Sequence, residues 1–212
     1  MPNSSPTAMI ELLTRVLCDT LPDISDGAYL SCQTKDNQES VLRAAQHILD
    51  DKKTRKILFM STSAMCGYPG FDSWKHTLNK FGVRDEYIEG IRDDSTPSLN
   101  TLIESEAIVR HAKLNRFESI IIISSPFQQL RSFMTAVTVV LREYHSLRVY
   151  SYPGISLPWS SSALHSQGSL KKTRISLIKS ELDRIEKYNI KGDLDSVEDV
   201  LDYLNGRDSL SQ

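Results

Sequence analysis

Four consecutive isoleucines at residues 120–123 stand directly before a pair of serines, Ser124 and Ser125. A strand with one face in water alternates apolar and polar side chains, so an unbroken apolar run predicts a strand that is covered on both faces. Sheets covered on both faces are typically parallel, because the helices that connect parallel strands pack on either side of them. The isoleucine run therefore predicts the central strand of a parallel α/β sheet.

Four further apolar runs along the chain predict four more strands, at residues 24–30, 57–60, 87–91 and 149–152. The segments between them carry apolar residues at helical spacing, and the longest such stripe comprises Leu130, Phe133, Met134, Val137, Val140 and Leu141. Strands that alternate with helices indicate βαβ units with right-handed crossovers. We therefore expect an α/β fold, a Rossmann-like three-layer sandwich with a mainly parallel five-stranded sheet and extra C-terminal helices.

The chain has 212 residues, of which 40% are hydrophobic, and this is enough for one globular domain with its own core. We expect a lead-in and a helix at residues 1–20, the α/β domain at residues 21–190, and a last helix and tail at residues 191–212. Ser196 and Asp199 have the spacing of a capping box at the start of that last helix.

Residues 153–168 are rich in proline, serine and glycine and predict an ordered flap over the ligand site, with Trp159 as its apolar plug. Three serines in the flap, residues 160–162, stand close to His165. No G-x-S-x-G nucleophile elbow accompanies them, so the sequence does not favour a serine hydrolase.

Charge and hydropathy disfavour two classes of partner. The formal net charge of −2 predicts no bulk attraction to nucleic acid. No run of about 18 apolar residues is present, so we expect no transmembrane helix. The first seven residues lack the basic start and apolar centre of a signal peptide. We expect a small-molecule ligand as the partner.

The cysteine pattern predicts free thiols. Cys18, Cys32 and Cys66 are odd in number and widely spaced, which is typical of a reducing compartment and favours a cytoplasmic location. We expect Cys18 and Cys32 to be small buried side chains and Cys66 to be exposed. No CxxC is present and no two histidines lie three or four residues apart, so we expect no zinc site.

The fold predicts where a ligand binds. In open α/β sheets, ligands bind beyond the carboxyl ends of the strands, near the point where the strand order reverses. The segments that follow the five predicted strands are therefore the candidates: residues 31–37, 61–71, 92–100, 124–127 and 153 onward.

The segment after the isoleucine strand has two interpretations. In the first, the start of the next helix binds an anion, Ser125 adds a hydroxyl donor, and Arg131, one turn from Gln128, makes a forked contact. In the second, Ser125 caps the helix, Pro126 begins it, Gln128 completes a capping box, and Arg131 is solvated.

Residues 94–104, around the start of the preceding helix, also have two interpretations. In the functional interpretation, Asn100 and Thr101 hydrogen-bond the polar edge of a ligand, and Asp94 or Glu104 pairs with its hydroxyls, as acidic residues do with ribose. In the structural interpretation, Thr101 and Glu104 form a capping box, or Ser98 or Asn100 caps the helix instead.

Residues 61–71 contain two glycines and two serines whose backbone amides are suited to wrap a phosphate. They lack the G-K-[ST] of a Walker A motif, and a mobile surface loop is the alternative interpretation. Cys66 lies in this loop and has two interpretations of its own, as a reactive thiol or as an ordinary one.

The stretches 94–101 (DSTPSLNT) and 124–131 (SSPFQQLR) resemble motifs of the YdcF/SanA/ElyC-like family, a bacterial-type domain of unknown function. Ser98, Asn100 and Thr101 match the S-x-N-T motif of that family, and Ser125 and Arg131 match the serine and arginine of its TS-x-x-H-x-x-R motif. The resemblance extends over residues 22–190; within it, Arg43 resembles a recurrent arginine on the first crossover helix.

Two departures from the family pattern bear on chemistry. Gln128 stands in place of the histidine, and glutamine cannot titrate. Ile103 stands in place of a common acidic residue, with Glu104 one position later. The ligand-binding candidates are Arg43, Asp94, Ser98, Asn100, Thr101, Glu104, Ser124, Ser125, Gln128 and Arg131.

The resemblance implies an S-adenosylmethionine-like or nucleotide ligand, although the glycine-rich loop of classical methyltransferases is absent. We therefore expect a small-molecule-binding enzyme that acts on a nucleoside-bearing or anionic (phosphate or carboxylate) ligand at the carboxyl ends of the strands. The alternative is a non-catalytic ligand sensor or accessory factor linked to cell-envelope processes, which the glutamine at position 128 favours.

Overall fold

The computed structural model describes residues 5–92, 98–165 and 168–209. Its main sheet has five parallel strands in the order β3-β2-β1-β4-β5. The bounds are Gly27–Leu30 for β1, Ile57–Met60 for β2, Ile88–Ile91 for β3, Ser119–Ile123 for β4 and Arg148–Ser151 for β5. All five strands predicted from the apolar runs are confirmed, and the sheet is entirely parallel.

The isoleucine strand β4 lies between β1 and β5, as its apolar character on both faces requires. Ile120 to Ile123 are buried and pair in register with residues 27–30 of β1. The chain runs from β1 outward to β2 and β3, then returns to the other side of β1 as β4. The strand order therefore reverses between β1 and β4, and a crevice opens there at their carboxyl ends.

Seven α-helices and one short 3-10 helix, Asp85–Tyr87, are assigned in the described residues. The α-helices are α1 (Pro6–Leu17), α2 (Gln38–Asp50), α3 (Phe71–Lys80), α4 (Thr101–Leu114), α5 (Gln129–Glu143), α6 (Arg174–Lys191) and α7 (Val197–Ser209). Helices α2 and α3 pack together, whereas α1, α4, α6 and α7 all pack against α5. The helices flank the sheet in two groups, which confirms the three-layer sandwich with additional C-terminal helices.

Helix α5 begins later than one interpretation of the sequence held. Its first residue is Gln129 rather than Pro126, and Ser125 does not cap it. The side-chain amide of Gln129 instead accepts from the backbone N–H of Ser124 through its oxygen and donates to the carbonyl of Ile122 through its nitrogen. Because this buried amide satisfies the polar groups at the end of β4, the chain makes a turn before the helix starts.

The segment after β5 was predicted as an ordered flap, and the structure shows regular strands within it. It contains an antiparallel hairpin of β6 (Ser162–His165) and β7 (Leu170–Thr173). The backbone carbonyl of Leu164 accepts from Thr34 and Asn37, which anchors the hairpin to the loop after β1. The prediction of Trp159 as an apolar plug is wrong, because its side chain is 38% exposed.

The ends of the described chain pack against the α/β body. Ser196 and Asp199 form the predicted capping box at the start of α7. Arg207 of α7 forms a buried ion pair with Asp19, which follows α1. The prediction that Cys18 is buried is wrong, because it caps the exposed end of α1. Among the described residues, no helix has the length and apolar character needed to cross a membrane.

The Arg207–Asp19 ion pair joins α7 to the residues after α1, and both side chains are at most 5% exposed. Arg207→Met is expected to lower the free energy of unfolding by about 3–5 kcal/mol, because it leaves a buried carboxylate without its cation. Urea denaturation measures this change. The matched control is Arg55→Met, since the Arg55 side chain is 63% exposed in its pair with Asp26. A loss below about 1 kcal/mol is expected there, and equal losses in both variants would contradict the assignment.

Candidate functional site

A cavity of about 390 Å³ lies at the carboxyl ends of the parallel strands. Its walls come from the segments that follow β1, β2, β3 and β4, from the β6–β7 hairpin, and from α6. The strand-end segments contribute Cys32, Gln33, Thr34, Cys66, Tyr68 and residues 99–102. Helices α4 and α5 with the turn before α5 contribute Glu104, Gln128, Arg131 and Thr135, and the hairpin contributes His165. Helix α6 and the turn after it contribute Arg184, Tyr188, Lys191, Asp193 and Leu194.

The structure brings five of the candidate residues together in this cavity: Asn100, Thr101, Glu104, Gln128 and Arg131. Asn100, Thr101, Gln128 and Arg131 belong to the two motifs that carry the family resemblance, and Glu104 lies one turn of α4 after the first motif. The motifs are about 25 residues apart in sequence and meet because α4 packs directly against α5.

The other candidates lie elsewhere. Ser124 and Ser125 are buried beside the cavity, and Ser98 is partly buried; none of the three lines it. Arg43 projects from α2 over the ring of Phe81, 3.8 Å from its centroid, and does not line the cavity. Asp94 lies outside the described residues.

Asn100 caps α4, as one structural interpretation held. Its side-chain oxygen accepts from the backbone amides of Leu102 and Ile103. Glu104 does not complete a capping box. Its Oε2 instead accepts from the hydroxyl of Tyr29 and the backbone amide of Cys32, each at 2.8 Å. Glu104 therefore ties α4 to the end of β1.

The environment of Glu104 favours its protonated form. Burial raises the pKa of this carboxyl from 4.5 to about 7, although the hydrogen bonds from Cys32 and Tyr29 and the positive charge of Arg131 act in the opposite direction. A carboxyl that changes charge near neutral pH inside a cavity is suited to exchange a proton with a ligand.

Arg131 is buried rather than solvated, which excludes one interpretation of the sequence. Its side chain is 7% exposed, and its Nε donates to Oε2 of Glu181 at 2.6 Å. Its Nη1 donates to the hydroxyl of Thr101 at 2.7 Å. Arg131 thus connects α5 to both α4 and α6.

Glu181 is the centre of a group of cationic and polar side chains. Its Oε1 lies 2.8 Å from Nε2 of His165 and 2.9 Å from Nη1 of Arg184. Burial alone would raise the pKa of Glu181, but Arg131 and His165 together lower it to about 2. The carboxylate is therefore ionised, and two guanidinium groups share it.

Three polar residues were missed as candidates: Glu181 and Arg184 of this group, and Gln33, which lines the cavity. A sequence signal exists for Glu181, because it interrupts the buried stripe of α6 formed by Leu177 and Ile185. A charged residue at an apolar position of a helical stripe indicates a buried ion pair or a site. No comparable signal marks Gln33.

His165 enters the cavity from β6. Its ring packs edge-on against Phe127, with 5.2 Å between the ring centroids. Its Nε2 lies 3.3 Å from Nη1 of Arg184, and its shorter polar contact is to Glu181 rather than to one of the neighbouring serines. The contact joins residues that are 16 positions apart, through the fold of the hairpin onto α6.

Gln33, Gln128 and Ser125 form a buried polar network, of which Gln33 and Gln128 line the cavity. The hydroxyl of Ser125 donates to Oε1 of Gln33, and Nε2 of Gln33 donates to Oε1 of Gln128 at 3.1 Å. These bonds fix the orientation of Gln128, whose side-chain amide occupies the position of the histidine in the family that the chain resembles. Gln128 presents hydrogen-bonding groups here and no titratable one.

The loop at residues 61–71 packs against the sheet. Tyr68 is 2% exposed and its hydroxyl donates to the carbonyl of Met60. Cys66 adopts a left-handed backbone conformation with φ +50° and lines the cavity, where it is partly buried rather than exposed as predicted. Within the described part of the chain, no three His, Cys, Asp or Glu side chains are grouped to hold a metal ion.

No protein-family model matches the chain, and no curated protein sequence shows significant similarity to it. The resemblance to the YdcF/SanA/ElyC-like family therefore rests on the residues quoted for it.

Glu104→Gln is expected to remove a pH-dependent loss of stability. Because the pKa is higher in the folded than in the unfolded chain, the folded state binds more protons, and its stability falls as pH rises from about 4.5 to about 7. This loss amounts to about 3 kcal/mol, and the neutral amide does not incur it. Urea denaturation between about pH 5 and pH 8 measures the difference between the two proteins.

The matched control for this prediction is Glu118→Gln, because the Glu118 side chain is 82% exposed. Its pH profile is expected to follow that of the unmodified chain. A Glu104→Gln profile that also parallels the unmodified chain would show that Glu104 titrates normally.

Proposed function

We propose that the cavity binds a small molecule through an anionic group, a phosphate or a carboxylate, and that the protein is an enzyme acting on that ligand. The observation that carries the proposal is the group around Glu181: one ionised carboxylate contacts both Arg131 and Arg184. Even with His165 neutral, the group has a net charge of +1. A ligand anion is the natural complement of that charge.

The arginines retain donors for such a ligand. The bonds to Glu181 and Thr101 use Nε and Nη1 of Arg131, and the bond of Arg184 to Glu181 uses its Nη1. A guanidinium carries five N–H donors in a planar fork that matches phosphate and carboxylate oxygens. Because Glu181 holds both planes in place, a ligand would meet donors that are already oriented.

The remaining walls suit the uncharged part of a ligand. Asn100, Thr101 and Gln128 offer hydrogen-bonding groups, whereas Leu99, Tyr68 and Leu194 offer apolar surface. The volume of about 390 Å³ is within the range of about 300–1,000 Å³ for small-molecule sites. The family resemblance supports a nucleotide or an S-adenosylmethionine-like compound within this class.

Two side chains that line the cavity favour an enzyme over a binding protein. Glu104, with a pKa of about 7, is suited to general acid–base catalysis near neutral pH, and His165 carries an imidazole, the side chain that enzymes most often use to transfer protons. The alternative is a non-catalytic sensor or accessory factor, and it is supported by Gln128, which cannot transfer a proton. Turnover assays with any ligand found will distinguish the two.

Arg184→Gln is expected to weaken anion binding by about tenfold or more, because it removes a charged donor worth about 1.5–3 kcal/mol. A panel of inorganic phosphate, sulfate, nucleoside monophosphates and S-adenosyl compounds is screened by thermal shift, and dissociation constants follow by calorimetry. A ligand at 100 times its dissociation constant stabilises the fold by about 2.7 kcal/mol.

The control variant is Arg142→Gln, because Arg142 is 45% exposed in an ion pair with Asp195 and does not line the cavity. It also corrects for the general stabilisation that sulfate and phosphate give to folded proteins. If no anion binds, or if both variants bind equally well, the proposed function is wrong.

A further inference from the structure

We propose that Glu104 is a specificity-determining residue of the cavity: as a neutral carboxyl it donates a hydrogen bond from Oε1 to the bound anion, so that a proton is taken up with the ligand. This inference rests on the proposed function, because it needs an anion at Arg131 and Arg184. It adds a role for Glu104, which lies outside the guanidinium pair, and it states that the site binds the anion with the Glu104 carboxyl protonated.

The geometry separates the two oxygens of Glu104. Oε2 accepts from the Tyr29 hydroxyl and the Cys32 amide, each at 2.8 Å, and Oε1 receives neither bond. The side chain is 5% exposed and lines the cavity. The Cys32 thiol also lies within hydrogen-bonding reach of this carboxyl. Oε2 therefore fixes the carboxyl plane, and we assign the ligand contact to Oε1, which receives neither of the two bonds made to Oε2.

Glu104 lies beside the proposed anion site. Thr101 is one turn before Glu104 on α4, and its hydroxyl accepts from Nη1 of Arg131. The charge of Arg131 acts on the carboxyls of both Glu104 and Glu181. An anion that meets the donors of Arg131 would therefore come close to Glu104 as well.

The groups that face Glu104 come from three other parts of the fold. They are Tyr29 in β1, the thiol of Cys32 after β1, Tyr68 after β2 and Arg131 in α5. Arg131 is the one cation among these four, and it already pairs with Glu181. Arg131 therefore only partly balances the negative charge of an ionised Glu104. It balances that charge even less when an anion is bound.

The charges determine the direction of the coupling. An ionised Glu104 repels a bound anion across a poorly solvated cavity, whereas a protonated Glu104 donates to it. A bound anion therefore raises the pKa of Glu104 above its value of about 7 in the free protein. Ligand binding takes up a proton, and affinity falls as pH rises through that range.

The test uses sulfate, which stays fully ionised near neutral pH, at constant ionic strength. Calorimetry is expected to give about tenfold weaker binding at pH 8 than at pH 6, because only the protonated protein binds well. In Glu104→Gln the amide supplies a donor at every pH, so sulfate affinity is expected to vary less than about twofold over the same interval.

Two further variants test whether the pH dependence of sulfate affinity comes from Glu104. Glu118→Gln alters an exposed side chain outside the cavity and is expected to keep the full pH dependence. His165→Gln removes the other cavity group of a type that changes charge between pH 5 and 8. If the pH dependence disappears in that variant and persists in Glu104→Gln, the inference is overturned.

A second measurement needs no variant. Calorimetry of the unmodified protein in two buffers of different ionisation enthalpy gives the number of protons taken up, and about half a proton per sulfate is expected at about pH 7. Sulfate binding without proton uptake would overturn the inference and leave the proposed function intact. Failure of sulfate and every other anion to bind would overturn the proposed function, and this inference with it.

Discussion

Glu181 joins three elements of the fold through charged hydrogen bonds to one buried carboxylate. Its two oxygens contact Arg131 of α5, Arg184 of α6 and His165 of β6. An ion pair of this kind is costly to bury, and the cost is offset only when each charged atom has a partner in good geometry. Every oxygen of Glu181 meets that condition. The hairpin, α5 and α6 are therefore connected through one buried carboxylate, whose partners Arg131, His165 and Arg184 line the cavity.

The cavity itself follows from the strand order. Because β4 returns beside β1, the loops after these strands diverge to opposite faces of the sheet and leave a crevice between them. Gln33 and Gln128, which share a polar network with Ser125, line the cavity in that crevice. Arg131 and Glu104, on neighbouring helices, then face the same space from the side of α4 and α5.

The two acidic residues near Arg131 differ in charge because they differ in partners. Glu181 has two guanidinium groups and a histidine, and its pKa lies at about 2. Glu104 has a phenol, a backbone amide and a more remote guanidinium, and burial raises its pKa to about 7. One carboxyl therefore acts as a fixed charge that positions donors, while the other is free to change its charge near neutral pH. Paired groups with separated pKa values are typical of sites where protons move.

The sequence by itself determined the sheet, because the apolar runs at residues 57–60 and 120–123 are too short and too uniformly apolar for surface elements. It also determined that residues 100–104 and 128–131 would lie near the strand ends, since each motif directly follows or closely trails a strand. Tertiary structure alone decided which of these side chains meet. Arg131 turns inward because Glu181, 50 residues later, lies opposite it, and Arg43 remains outside because Phe81 covers its guanidinium. Contacts between distant segments leave little trace in the local pattern of either one, and this is the physical reason why the composition of the cavity required the fold.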